Sequence, residues 1–161
     1  MAMQVGQRGK NLFKEWEGLV THEYLDSGAP PTIGIGHLLT RSRSGRQGKI
    51  SIGGQALDYR NGITEQQCWD LLDEDLAGSE ATVNEAVKVS LNQNQFDALV
   101  SFAFNVGDGA FRSSTLLRLL NQGQYDQVPA QLRRWNMDNG HVVQGLINRR
   151  NKEIALWNTP V

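Results

Sequence analysis

Between Thr21 and Leu39 the chain leaves helical periodicity, and after Asn61 it never leaves it again. That switch restricts the folds open to it. Asp26-Ser27-Gly28 and Pro30-Pro31 are turn chemistry, and Thr32-Ile33-Gly34-Ile35-Gly36 alternates with period two, which spells a β-hairpin. Lys49-Ile50-Ser51-Ile52 adds a third short strand before the Gly53-Gly54 break, and Arg41 to Gly48 reads as a polar loop. Upstream, Val5, Leu12, Phe13 and Trp16 recur at helical spacing, so a first helix is expected from about Val5 to Glu17.

Beyond Asn61 the start and stop signals divide the chain into helices. Thr64-Glu65-Gln66-Gln67 is a capping box, opening a helix to about Gly78 that carries Trp69, Leu71, Leu72 and Leu76. A shorter helix is expected from Ala81 to Val89. Asn92 caps an apolar one with Phe96, Leu99, Val100, Ala103 and Phe104, closed by Gly107. Ser113 or Ser114 caps Leu116 to Leu120, with Gly123 as the stop. Tyr125 to Trp135 reads as a helix that tolerates Pro129 in its first turn. Leu146, Arg150, Ile154 and Trp157 mark the last. One small sheet followed by five or six helices is an α+β pattern. The expected division is a small antiparallel β-sheet lobe near residues 18–62 and an all-helical lobe from 1–17 and 63–161, with a cleft between them.

At 161 residues the chain is one domain by length, with enough apolar residues (39%) for a real core. A net charge of −1 provides no broad drive toward nucleic acid or anionic surfaces. Cys68 is the only cysteine, which excludes an internal disulfide; beside Trp69 and Leu72 it reads as a small buried hydrophobe. MAMQVGQRGKNLFKEWEG contains no apolar signal-peptide core, and no window approaches the ~20 apolar residues of a membrane span. Accumulation in the cytoplasm of the producing cell is therefore expected.

Two acids flank the switch in period. Glu17 closes the first helix, where the dipole places negative potential beside the carboxyl. Asp26 follows eight intervening residues later on a polar turn. Splitting a glycosidic bond needs one carboxyl that holds a proton and one that stays ionised. From the residues alone, Glu15 and Glu23 rival Glu17, and Asp26 could serve only as a turn residue.

The stretch Glu17-Gly18-Leu19, Asp26, Thr32-Ile33-Gly34-Ile35-Gly36-His37 and Leu38-Leu39-Thr40 resembles the active-site segment of phage-type lysozymes, the endolysins of glycoside hydrolase family 24. Later segments are similar in the same order: Phe102-Ala103-Phe104-Asn105-Val106-Gly107, Ser114-Thr115-Leu116-Leu117, and Gly145-Leu146 followed by Arg149-Arg150 and Glu153. The likeness spans nearly the whole chain.

The resemblance implies hydrolysis of the β-1,4 bond between N-acetylmuramic acid and N-acetylglucosamine in bacterial peptidoglycan. Under it Glu17 is the general acid, Asp26 the ionised partner, and Thr32 helps Asp26 position the attacking water. It favours inversion, for which the carboxyls stand ~6.5–9.5 Å apart rather than the ~5–5.5 Å of retaining enzymes. It also implies a His37–Asp75 ion pair joining the hairpin lobe to the helical lobe. Leu38, Phe104, Ser114 or Thr115, and Gln131 are the implied substrate contacts, although Leu38 and Phe104 equally suit a core. Arg149-Arg150 either brings a guanidinium near Glu17 or forms a solvated helix face.

No cofactor or metal is required, because carboxyls fill both proton-transfer roles and no ligand spacing surrounds His37. The resemblance further implies host-cell lysis by a monomer that leaves the cytoplasm through a separate holin pore. Three other readings stay open: a lytic transglycosylase, a non-catalytic wall-binding module and a tail-associated lysozyme. Pro30-Pro31, the 41–61 region and the near-neutral charge depart from the family's habit; the last implies a shallow salt dependence.

Overall fold

Three antiparallel strands, β1 (Val20–Tyr24), β2 (Thr32–Gly34) and β3 (His37–Leu38), pair in that order in a computed structural model of the chain. The described residues are 2–24, 32–38, 49–59 and 62–161, with the side chains at 22–24, 32, 38 and 49 outside the description. The expected turns at Asp26-Ser27-Gly28 and Pro30-Pro31, and the Arg41 to Gly48 loop, lie outside the described residues.

The chain divides into two compact units: Lys10–Ala77, and Met1–Gly9 together with Gly78–Val161. The dividing line thus runs through helix α1 (Gln7–Glu17) and helix α2 (Glu65–Ala86), instead of falling near residues 17 and 63.

In the unit Lys10–Ala77, β2 pairs with β1 and β3, and Ile33 within it and Ile35 just after it are buried. A second hairpin joins β4 (Lys49–Ile52) to β5 (Gln55–Asp58). Ile50 and Ile52 are buried while Ser51 between them is exposed, the alternation of a half-buried strand. Gly53 and Gly54 take φ of +61° and +78°, the two positive values that a two-residue hairpin turn needs. β5 was not foreseen because Gln55, Ala56 and Asp58 are all exposed, leaving it no apolar alternation. Phe13, Tyr59, Cys68, Leu71, Leu72 and Leu76 complete this core.

The capping box expected at Thr64 forms, and the cap expected at Asn92 is a capping box as well. Thr64 Oγ1 accepts from Gln67 N at 3.0 Å while Gln67 Oε1 accepts from Thr64 N at 2.9 Å. Asn92 and Gln95 exchange the same bonds at 2.8 and 2.9 Å, opening helix α3 (Gln93–Val106). α2 runs unbroken through Gly78 to Ala86, so the two helices expected over 64–89 are one. A lone glycine costs a helix only about 1 kcal/mol, and Leu76, Ser79, Thr82 and Val83 continue its buried stripe past that point.

In the unit built on Gly78–Val161, α3 is buried along most of its length and packs chiefly on α7 (Gln144–Trp157). Between them lie α4 (Asp108–Arg112), α5 (Thr115–Asn121), a 3-10 turn at Tyr125–Gln127 and α6 (Val128–Arg133). The short α4 was not foreseen, and the single helix expected over Tyr125 to Trp135 is the 3-10 turn followed by α6. The lobe expected to be all helical also contains a hairpin, β6 (Met137–Asp138) with β7 (His141–Val142). Asn139 and Gly140 turn it with φ of 50° and 78°. The Asn-Gly signal was present in the sequence, but two-residue strands leave no period to read.

Candidate active site

Glu17 is the last residue of α1, and its side chain is exposed. The helix closes there because Gly18 N donates to Lys14 O at 2.8 Å and Gly18 takes φ of +74°. Lys10 Nζ meets Asp73 Oδ1 at 2.7 Å, and Lys14 Nζ stands 5.7 Å from the Trp69 ring centre, tying this end of α1 to the start of α2. Gly36, in the turn between β2 and β3 at φ +71°, lies directly against Glu17. A Cβ there would come 2.8 Å from Glu17 Cγ and 2.9 Å from Oε2. A helix end and a glycine turn therefore set the acid in place.

Thr32 opens β2 with its Cα opposite those of Leu38 and Tyr24. The side chains of Thr32 and Leu38, and all of Asp26, lie outside the described residues. His37 Nδ1 stands 2.9 and 3.0 Å from the two carboxylate oxygens of Asp75, with both side chains about three-quarters buried. An ionised Asp75 can only accept, so Nδ1 carries the hydrogen. Both residues belong to the unit Lys10–Ala77, so the contact ties β3 to α2 within that unit. Among the described residues no group of His, Cys, Asp and Glu is arranged to hold a metal ion.

The remaining expected contacts fall in the other unit. Phe104 is 42% exposed on α3. Ser114 is buried and caps α5: its Oγ donates to Phe111 O at 2.7 Å and accepts from Leu117 N at 3.1 Å. Its single proton is committed to the backbone. Thr115 is exposed and, with Gln131, Arg134 and Trp135, lines a cavity of about 290 Å³. A second cavity, of about 480 Å³, is bounded by Asn105, Trp135, Asp138, Leu146 and Arg150, among others. Trp135 faces both, and stacks edge-on against Phe102 at 5.3 Å.

Arg149 and Arg150 do not form a solvated helix face. They are 8% and 1% exposed and converge on Glu153, which is fully buried. Arg150 Nε lies 2.7 Å from Glu153 Oε1, out of line for a hydrogen bond, and Arg149 Nε lies 3.5 Å from Oε2. Ser101 Oγ donates to Oε2, while Arg150 Nη2 donates to Oε2 and, at 2.7 Å, to Asn105 Oδ1. Burial pushes the Glu153 carboxyl up and the Arg150 guanidinium down, each against the attraction of the other. Ser101 and Asn105 were not singled out from the sequence; their spacing of four on α3, facing Arg149-Arg150 on α7, appears only once the helices pack.

A glycine-braced acid at a helix end, a short sheet behind it and a helical unit with a buried ion cluster define a lysozyme-like α+β protein. The chain belongs to the phage lysozyme family, whose model matches residues 14–153. The endolysin of Bacillus phage PZA is 45% identical over 98% of this chain, which spans only 56% of that relative's length. A crystal structure of a mutant P22 lysozyme superposes with a TM-score of 0.76 at 35% identity, covering 98% of this chain and 99% of that one. The muramidase domain of SpmX from Asticaccaulis excentricus follows at 0.74 and 33%, with the same coverage.

Proposed function

We propose that this chain hydrolyses the β-1,4 bond between N-acetylmuramic acid and N-acetylglucosamine in bacterial peptidoglycan, and so lyses the cell that makes it. The observation that carries this reading is Glu17, an exposed carboxyl at the end of α1, fixed against the Gly36 turn. Membership of the phage lysozyme family and the muramidase relative support it. Glu17 donates its proton to the bridging oxygen as the glycosidic bond breaks. Asp26, ionised, and the Thr32 hydroxyl hold a water that attacks the anomeric carbon from the opposite face, which inverts it. Within the unit built on Gly78–Val161, the cavity lined by Trp135, Gln131 and Thr115 combines an apolar ring with hydrogen-bonding groups, a lining that suits a sugar.

Clearing of outer-membrane-permeabilised cells tests the reading. Glu17→Gln and Asp26→Asn should each lose activity by about a hundredfold or more while remaining folded. Mass spectrometry of the released fragments should show one added water per cleavage. Anhydro sugars would instead identify a lytic transglycosylase, and unchanged clearing in Glu17→Gln would remove the acid from the mechanism.

Export completes the proposal. No helix among the described residues is long and apolar enough to cross a membrane. The enzyme acts as a monomer and reaches the wall through a separate holin pore. Expression in cells lacking such a pore should leave them intact, and expression with one should lyse them.

A further inference from the structure

The turn that touches Glu17 has little of its own to hold it. Gly34, Ile35 and Gly36 join β2 to β3, and the two glycines take φ of +69° and +71°. Both ends of the turn are thus the residue whose backbone is freest. A Cβ on Gly36 would fall 2.8 Å from Glu17 Cγ and 3.0 Å from its Cβ, so the acid rests directly against this turn. What fixes the turn is what fixes its neighbours. Ile35 is 3% exposed and anchors it by burial, which is strong but has no direction. His37 anchors it by a directed bond: Nδ1 lies 2.9 and 3.0 Å from the two carboxylate oxygens of Asp75 on α2.

The same stretch of α2 meets the helix that bears the acid. Two residues before Asp75, Asp73 pairs with Lys10 Nζ at 2.7 Å, and the Trp69 ring lies 5.7 Å from Lys14 Nζ, both partners on α1. Gly34 rests there too: a Cβ on it would come 3.5 Å from Leu71 Cδ2 and 3.7 Å from Cys68 Cα. The contacts differ in strength. Asp73 is half exposed, so water screens its pair with Lys10. Asp75 and His37 are about three-quarters buried and share a hydrogen bond to an ionised group, the stronger kind. Every residue in this set of contacts lies within the unit Lys10–Ala77.

We propose that Asp75 is a positioning residue for Glu17, acting through His37 and Gly36. Its carboxylate fixes the residue beside the turn, the turn sets how near Gly36 comes to Glu17, and that approach limits the directions open to the acid's side chain. Without the bond, only the two-residue pairing of β3 with β2 and the burial of Ile35 hold the turn. Gly36 then shifts and the Glu17 carboxyl gains room. The inference rests on the proposed role of Glu17 as proton donor.

The test measures kcat and KM on purified peptidoglycan sacculi, well below each variant's melting temperature. It compares wild type with Asp75→Asn, Asp75→Leu, His37→Ala, Leu156→Ala and Glu17→Gln. Asp75→Asn keeps an acceptor oxygen for Nδ1, while Asp75→Leu keeps only volume. Leu156 is buried in the other unit, and its truncation controls for lost stability alone. Folded Asp75→Leu and His37→Ala should each lose about tenfold or more in kcat with KM nearly unchanged, because a misplaced donor is felt in the transition state. Asp75→Asn should lose only about threefold, since a neutral acceptor holds His37 more weakly than a carboxylate does. Leu156→Ala should melt at a lower temperature and keep wild-type kcat. Wild-type kcat in every folded variant of the pair, beside an inactive Glu17→Gln, overturns the inference and leaves the acid's role standing. Equal kcat losses in Asp75→Leu and Leu156→Ala overturn it as well. Full activity in Glu17→Gln overturns that role and this inference with it.

Discussion

Gly36 approaches Glu17 so closely that a methyl group on its α-carbon would occupy the space of the acid's side chain, 2.8 Å from Cγ and 2.9 Å from Oε2. The glycine also holds φ of +71°, a conformation that costs other residues about 1 kcal/mol or more. Of the two constraints, the second bears on stability and the first on chemistry. A flexible carboxylate can swing aside cheaply, but under the proposed mechanism a displaced Glu17 would no longer meet the bridging oxygen.

Gly36→Ala should therefore lower kcat on peptidoglycan by about tenfold or more while destabilising the fold by only ~1–2 kcal/mol. Thermal unfolding beside initial-rate kinetics separates the two effects. Activity that falls only in proportion to the folded fraction would contradict the bracing role.

The His37–Asp75 pair links β3 to α2 at 2.9 Å with both partners partly exposed. A double-mutant cycle of His37→Gln and Asp75→Asn in urea should give a coupling of about 1 kcal/mol, the range of a charge-assisted hydrogen bond in a half-wet site. Additive losses would mean that the two side chains stabilise the hairpin independently.

Arg150 has no neutral substitute in its place. Arg150→Leu leaves the buried Glu153 carboxyl with the Ser101 hydroxyl and the more distant Arg149 cation, 3.5 Å away, and strips Asn105 Oδ1 of the Arg150 donor. Equilibrium unfolding should show a loss of roughly 3–5 kcal/mol. Replacing both partners, Arg150→Met with Glu153→Leu, should cost less than the sum of the single changes, because no orphan charge remains.

Burial also raises the Asp97 carboxyl, which fixes the sign of its pH dependence. The native chain keeps this proton to higher pH than the unfolded chain does. The associated stability is fully present below the unfolded carboxyl's value and is lost as pH rises through the raised native value. Melting temperatures of wild type relative to Asp97→Asn should therefore fall across that window. A difference that does not vary with pH would contradict the raised value.

Cys68 is wholly buried, its Sγ 3.7 Å from Val20 O, and burial together with Glu65 pushes its thiol up. Ellman's reagent should modify it at least about a hundredfold more slowly in the native protein than in guanidinium. Rapid native labelling would show that the β1–α2 packing opens.

The parts of this fold that could be read beforehand are those set by neighbours in sequence. Thr64 with Gln67, and Asn92 at the start of α3, cap their helices through bonds spanning three residues, and the local sequence suffices to see both caps. Gly53-Gly54 announces a turn for the same reason. Gly78 was read as a break because a local rule penalises it, yet α2 continues, since the buried residues on either side outweigh a cost of about 1 kcal/mol. β5 and β7 escaped notice because their side chains face solvent and carry no periodic signal.

The motif singles out Glu17 as a candidate, but it does not show that Gly36 packs against it. Glu17 stands nineteen positions before Gly36 in the chain. For Arg149-Arg150 the sequence leaves a solvated helix face open, which is excluded only once α3 brings Ser101 and Asn105 to the pair and to Glu153. The order of turns, caps and periods is a property of short stretches of chain, whose energies depend on adjacent residues. Which glycine admits which carboxylate, and which charges are stripped of water together, depends on surfaces that meet only when distant segments pack. The loss of solvent and the close approach that give those contacts their strength do not exist before that point.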